Sequence, residues 1–166
     1  MSRDFADLIA VLNDQGVRYL LVGAFAVAFH SRPRFTKDLD IWVEPVAENA
    51  QKVRLALLSF GAPVRHVQEV NLTRKGEALQ IGVAPARIDI LTEVEPLIFA
   101  ECWERKSEGV FLDQPAHYLG LEDLLACKRH ANRPKDRLDV QMLEKARQAK
   151  GSVARNSKQK RKERKK

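Results

Sequence analysis

The sequence lacks the features that define several classes of protein. It has only two cysteines, Cys102 and Cys127, and neither belongs to a CxxC pair, so no disulfide framework is expected. The longest apolar run, 19–29, is interrupted and too short to cross a bilayer. The first residues have no layout typical of a secretory signal peptide. These absences favour a protein of a reducing, cytoplasmic compartment and predict no membrane partner.

Excess charge of one sign is missing from most of the chain, although the net charge is +7. The segment 150–166 holds nine Lys or Arg and one Glu, whereas the other 149 residues hold 20 Lys or Arg and 21 Asp or Glu. The segment is almost free of apolar residues and is predicted to be a disordered basic tail. It is either a phosphate-binding arm for RNA or DNA or a solubilising tail.

Hydrophobic spacing predicts a single α+β domain with a mixed β-sheet flanked by helices, over residues 1–149. Its first half, about 1–95, contains most of the predicted strands, and its second, about 96–149, is mainly helical. The predicted strands are 19–22, 38–45, 65–72, 78–83, 87–91 and 109–112. The predicted helices are 4–15, 25–29, 48–60, 97–105 and a C-terminal pair, 121–131 and 134–149.

Three carboxylates lie in segments that otherwise predict strands: Asp38, Asp40 and Asp89. Residues two apart in a strand face the same side, so Asp38 and Asp40 project together. A second acidic strand beside the first would make a cluster of like charges, which a divalent cation would neutralise. The pattern therefore favours a metal-dependent enzyme.

Gly23 follows the first predicted strand and precedes a short helix, 15 residues before Asp38. A glycine at such a turn lets backbone amides approach a phosphate, and the start of a helix adds partial positive charge. By itself, the glycine is more typical of an ordinary tight turn.

Together, these segments resemble the nucleotidyltransferase superfamily that includes DNA polymerase β. The pattern of that superfamily is a strand, a Gly-Gly or Gly-Ser turn, a short helix, a strand with Asp-x-Asp and a third acid on a neighbouring strand. The matching residues here are Gly23 and the three acids. The turn departs from the pattern because Ala24 offers a phosphate only its backbone amide.

The C-terminal helices show a narrower resemblance to the AbiEii-like nucleotidyltransferases, in which Lys and then Arg precede an Asp-x-x-Asp helix. The matching residues are Lys128, Arg133, Asp136 and Asp139. Lys128 also lies on the apolar stripe of its predicted helix, where a buried ammonium needs an anion. That anion is either a triphosphate or a carboxylate of the following helix.

The resemblance implies transfer of a nucleoside monophosphate from an NTP such as ATP to an acceptor hydroxyl, with release of pyrophosphate. It implies two Mg²⁺ ions held by the three acids, and Asp89 would also accept the proton of the acceptor. The implied nucleotide-binding residues are Gly23, Ala24, Arg34, Lys128, Arg133 and Asp136. Lys128 would also act in catalysis, by stabilising charge on the phosphates.

The acceptor is open at the level of sequence. Toxin members of toxin–antitoxin pairs favour RNA, especially a tRNA 3′ end, and would imply a cognate antitoxin as a partner. Antibiotic-modifying relatives favour a small molecule instead. A third alternative is a nucleotide- or nucleic-acid-binding module with an idle site. The basic segment 150–166 favours the first of the three.

Overall fold

The computed structural model describes residues 3–33, 36–83 and 85–163, and within them the chain forms seven helices and six strands. The helices are α1 (Arg3–Asp14), α2 (Gly23–His30), α3 (Ala47–Phe60), α4 (Val64–Glu69), α5 (Phe99–Glu104), α6 (Leu121–Ala131) and α7 (Pro134–Glu163). The strands are β1 (Tyr19–Leu21), β2 (Asp38–Val43), β3 (Ala78–Ile81), β4 (Arg87–Leu91), β5 (Ser107–Phe111) and β6 (Gln114–Tyr118).

The six strands form one mixed sheet in the order β3-β4-β2-β1-β6-β5. Strand β2 pairs in parallel with β4 and antiparallel with β1, so it lies inside the sheet. Strand β1 also pairs in parallel with β6, and the two edge strands complete antiparallel pairs. The expectation of an α+β domain with a mixed sheet is confirmed.

Helices cover the sheet because their apolar stripes match its buried positions. In α1 the residues at helical spacing, Phe5, Leu8, Ile9 and Leu12, are all buried, and the helix packs against α3. Gly61 ends α3 in a left-handed conformation, with φ +94°. The acids of β2 thus lie on a strand whose other residues anchor it in the core, since Leu39 and Ile41 are fully buried.

Two C-terminal helices pack against each other and against the sheet domain. Helices α6 and α7 are joined by a short turn in which Asn132 takes a left-handed conformation, with φ +47°. Pro134 begins α7, where its missing N–H leaves no bond unmade. Both helices contact α2, so they lie beside the turn that follows β1.

Three predictions of secondary structure differ from the structure. Residues 64–69 form helix α4 rather than a strand, and strand β6 has no predicted counterpart. The segment 150–163 continues α7 as helix where disorder is predicted, because Lys, Arg and Gln are good helix formers with no proline to stop them. The boundary of the domain at residue 149 stays a prediction.

The described helices include none with the length and apolar content needed to span a bilayer. Even the longest of them, α7, is rich in charged residues.

Candidate active site

Two neighbouring parallel strands bring the three predicted acids together. Asp40 on β2 is paired in register with Asp89 on β4, and Asp38 is paired with Arg87. Half-buried and buried positions alternate along β4 and over the first four residues of β2, and the three acids all occupy half-buried positions. The carboxylates therefore emerge on one face of the sheet, while the intervening apolar residues fill the core.

The turn after β1 lies directly against Asp40. The backbone N–H of Val22 donates a hydrogen bond to the carbonyl of Asp40 at 3.1 Å, which ties the end of β1 to β2. Gly23 has φ +60°, and a Cβ added there would lie 2.9 Å from Cγ of Asp40 and closer still to its Oδ2. Position 23 therefore needs glycine for its backbone conformation and for the space that the carboxylate occupies.

A buried ion-pair cluster joins α6 to α7. The ammonium of Lys128 donates to Oδ1 of Asp136 at 3.0 Å and lies 2.9 Å from Oδ2 of Asp139. Arg133 donates through Nε to Oδ2 of Asp136 at 2.6 Å. The anion that Lys128 requires is thus supplied by carboxylates of the following helix, which was one of the two alternatives. Lys128 also lines the cleft described below.

Electrostatics differ between the two groups of acids. Burial raises the pKa of Asp40, and the like charges of Asp89 and Asp38 raise it further, against a smaller opposing effect of Lys128. Burial also opposes ionisation of Asp136, but its hydrogen bonds from Arg133 and Lys128 prevail and lower its pKa to about 2. The negative charge around Asp40 is therefore only partly compensated, whereas Asp136 is neutralised by its partners.

A cleft of about 520 Å³ lies between the acidic face of the sheet and the helical pair. Its lining includes seven of the predicted site residues: Gly23, Ala24, Asp38, Asp40, Lys128, Arg133 and Asp136. Apolar side chains such as Leu91 and Val94 form part of the remaining wall. Such a cavity, with one charged and one apolar region, suits a ligand that has both a phosphate chain and a ring system.

Two predicted site residues remain, Asp89 and Arg34. Asp89 lies opposite Asp40 on the next strand but is not among the residues that line the cleft. Arg34, predicted to bind nucleotide, lies outside the described residues. Thr36 and Arg87 line the cleft but were not predicted. Arg87 is two residues before Asp89, and the same strand periodicity that grouped the acids would have placed it on their face.

The three acids do not form a ready-made metal centre. Across 3–33, 36–83 and 85–163, no three acidic, His or Cys side chains are positioned to hold an ion as they stand. Arg87 donates to Oδ2 of Asp38 at 2.8 Å and to Oδ2 of Asp89 at 3.2 Å. The donors nevertheless fit Mg²⁺ chemically, because they are carboxylate oxygens, and the pKa of Asp40 is raised by burial and then by the negative charges of Asp89 and Asp38.

Comparison with known proteins places the fold. No protein-family model matches the sequence, and no curated protein sequence does. Among solved structures, the chain is similar to the lincosamide antibiotic adenylyltransferase LnuA in its lincomycin-bound form, with a TM-score of 0.58, 16% identity and coverage of 87% of this chain and 96% of that one. It is also similar to ANT(2″)-Ia in complex with adenylyl-2″-tobramycin, with a TM-score of 0.59, 14% identity and coverage of 95% of both chains.

These similarities define the fold as that of the nucleotidyltransferases, as the resemblance implied. They extend over most of this chain and nearly the whole of both compared chains. The closer resemblance to the AbiEii-like group has no support among these structures and stays a prediction.

Proposed function

We propose that this protein transfers a nucleoside monophosphate from an NTP to an acceptor hydroxyl and releases pyrophosphate. The observation that carries the proposal is the pairing of Asp40 with Asp89 beside Asp38, at a cleft that also presents Gly23 and Lys128. The acids alone would suit many metal proteins. Their position on a nucleotidyltransferase fold, against a turn with space for only a glycine, favours phosphoryl chemistry.

Each side chain has a distinct role in this proposal. Asp38, Asp40 and Asp89 would hold Mg²⁺, which when bound neutralises these acids and stabilises charge on the transferred phosphate. Gly23 and Ala24 line the cleft, and their backbone amides would donate hydrogen bonds to phosphate oxygens.

The remaining roles concern orientation and the proton. Arg133 has a half-exposed guanidinium beside the cleft and would bind the outer phosphates. Lys128 would orient the phosphates from within its pair with Asp136. Asp89 would accept the proton of the acceptor hydroxyl.

The test is transfer of label from each α-labelled NTP in the presence of Mg²⁺. We expect Asp40→Asn to lower the rate of transfer about 10²- to 10³-fold, because a charged group at the reacting centre is lost. Asp113→Asn is the matched control, since Asp113 is an exposed acid in the turn between β5 and β6. Equal rates for the two variants would exclude the assignment, and no transfer by the wild type would favour the idle-module alternative.

We further propose RNA as the acceptor, because of a second groove of about 490 Å³ between the end of α2 and helix α7. Arg32, Lys145 and Lys150 line this groove and are exposed. Across the described residues, none of these three cations forms an ion pair. By contrast, Arg18, Arg87 and Arg105 are each paired with an acid. Cations without a protein partner are suited to phosphates.

The double variant Lys145→Gln/Lys150→Gln should weaken RNA binding and reduce the slope of log affinity against log salt by about 2. The control is Arg65→Gln/Lys75→Gln, which removes the same charge from outside the groove. Unchanged binding would remove the support for RNA. Label found instead on a small hydroxylated compound would favour the type of acceptor named for the two compared structures. The specific targets, a tRNA 3′ end and a cognate antitoxin, remain predictions.

A further inference from the structure

One arginine occupies the space between two of the three acids. Arg87 donates through Nη2 to Asp38 and through Nε to Asp89, at 2.8 and 3.2 Å. The first bond crosses from β4 to β2, and the second links residues two apart on the same strand. A single guanidinium therefore engages one oxygen of each carboxylate.

This arrangement is partly shielded from water. The side chains of Arg87, Asp38 and Asp89 are 37%, 34% and 17% exposed. Such shielding strengthens charge-assisted hydrogen bonds relative to those on an open surface. Asp40 lies beside the pair, and the charge of Arg87 only partly offsets the repulsion that Asp40 experiences from the other two acids.

Arg87 engages one oxygen of each of two carboxylates that are proposed to hold a divalent cation. An ion shared by Asp38 and Asp89 would have to displace the guanidinium, because a cation and a guanidinium cannot occupy the same space between two carboxylates. Arg87 also lines the cleft, together with the turn at Gly23. A triphosphate in that cleft would offer the guanidinium a second anionic partner with the same forked geometry.

We propose that Arg87 is a displaceable counter-ion, which blocks divalent-ion binding by Asp38 and Asp89 until a nucleotide triphosphate draws its guanidinium away. The inference rests on the proposed function for the identity of the nucleotide. It adds an order of events: nucleotide binding exposes the carboxylates, and the metal then binds to them. The ion pair offsets part of the negative charge of Asp38 and Asp89 while no substrate is present.

A purely structural role for Arg87 is the competing interpretation. In that case the guanidinium clamps β2 to β4 and stays in place throughout. Removal of the arginine would then loosen the pairing of the two strands and weaken the binding of every ligand at the site. The two interpretations therefore predict opposite signs for metal binding.

The experiment measures two affinities of the full chain by titration calorimetry: Mn²⁺ alone, and ATP in the presence of EDTA. For Arg87→Met we expect Mn²⁺ to bind about tenfold tighter than to the wild type, since two charge-assisted bonds no longer oppose it. We expect metal-free ATP to bind about tenfold weaker, since the phosphates lose a guanidinium. Arg74→Met removes the same charge from an exposed ion pair with Glu77 and should change neither affinity.

Each result decides one part of the proposal. Mn²⁺ binding to Arg87→Met that is no tighter than to the wild type would overturn it, and an unfolded variant cannot imitate a gain in affinity. If Arg87→Met does not fold, Arg87→Lys serves instead, because it keeps the charge but cannot fork between two carboxylates. Tighter binding of Mn²⁺ together with unchanged binding of ATP would overturn the proposal that the guanidinium moves from the carboxylates to the nucleotide. If the wild type binds no nucleotide, the proposed function fails, while the Mn²⁺ comparison still tests the counter-ion.

Discussion

An alanine at position 23 should disable catalysis through contact with a single carboxylate. Gly23 has φ +60°, which costs a residue with a Cβ about 1–2 kcal/mol. For a chain of this length, a loss of that size lowers the melting temperature by about 2–8 °C. The added Cβ would also lie 2.9 Å from Cγ of Asp40, and closer to its Oδ2, so the carboxylate must move.

The movement of Asp40 sets the size of the effect on catalysis. Real Cβ contacts are essentially never shorter than 3.0 Å, so the Asp40 carboxylate must retreat by about 1 Å. A displacement of that size at a reacting centre lowers rates by about 10²-fold. We therefore expect Gly23→Ala to lose about 10²-fold in NMP transfer while it remains folded at 25 °C.

The chain offers a matched control for this variant. Gly16 has φ +62°, nearly the same backbone conformation, but an added Cβ would meet nothing within 4 Å. Gly16→Ala should therefore show the same small loss of stability, with an unchanged rate of transfer. Thermal unfolding and labelled-NTP transfer measured on both variants separate strain from contact. Equal rates for the two would refute the placement of the Asp40 carboxylate against position 23, or its need in catalysis.

Three further experiments test the helical half of the chain. Lys128→Met should lower the free energy of unfolding by about 3–5 kcal/mol, measured in urea, because Asp136 and Asp139 lose their buried partner; no loss would exclude a stabilising pair. The folded pKa of Asp136, about 2, is below its ordinary value, so its stabilising contribution is complete above about pH 4 and is lost as pH falls through 2. Asp136→Asn should therefore flatten the acid branch of stability against pH, and an unchanged branch would contradict this. Burial raises the pKa of Cys127 to about 11, so a maleimide should label this cleft residue faster as pH rises. ATP should protect Cys127, whereas the buried Cys102 stays unlabelled with or without ATP; labelling of Cys127 that ATP leaves unchanged would place the nucleotide elsewhere.

Local patterns were sufficient to predict the acids of β2 but not the partner strand. Alternation over two residues puts Asp38 and Asp40 on one face without knowledge of the rest of the chain. The pairing of Asp40 with Asp89 depends on a parallel crossover through residues 44–86, and it was expected only through the resemblance to a family. The same alternation places Arg87 on one face of β4 with Asp89, whereas its bond to Asp38 depends on the pairing of β4 with β2.

The strand predicted in place of α4 and the failure to predict β6 also have physical reasons. Val64, Val67 and Val70 are β-branched and favour a strand, yet they recur at every third position, which is the spacing of a helix. Strand β6 contains Pro115, which cannot donate to a ladder and argues against a strand inside a sheet. It is tolerated because β6 pairs with β1 only near its end, at Tyr118.

The helical half affects the chemistry of the sheet through charge as well as shape. Lys128 is held by two carboxylates of α7, but its charge still lowers the pKa of Asp40 across the cleft. Arg133 is likewise affected by the charge of Asp40, which contributes to the rise in its own pKa. The pKa of Asp40 therefore depends in part on the charge of α6. Removal of the charge of Lys128 alone would leave Asp40 harder to ionise, so the strands alone do not make a complete site.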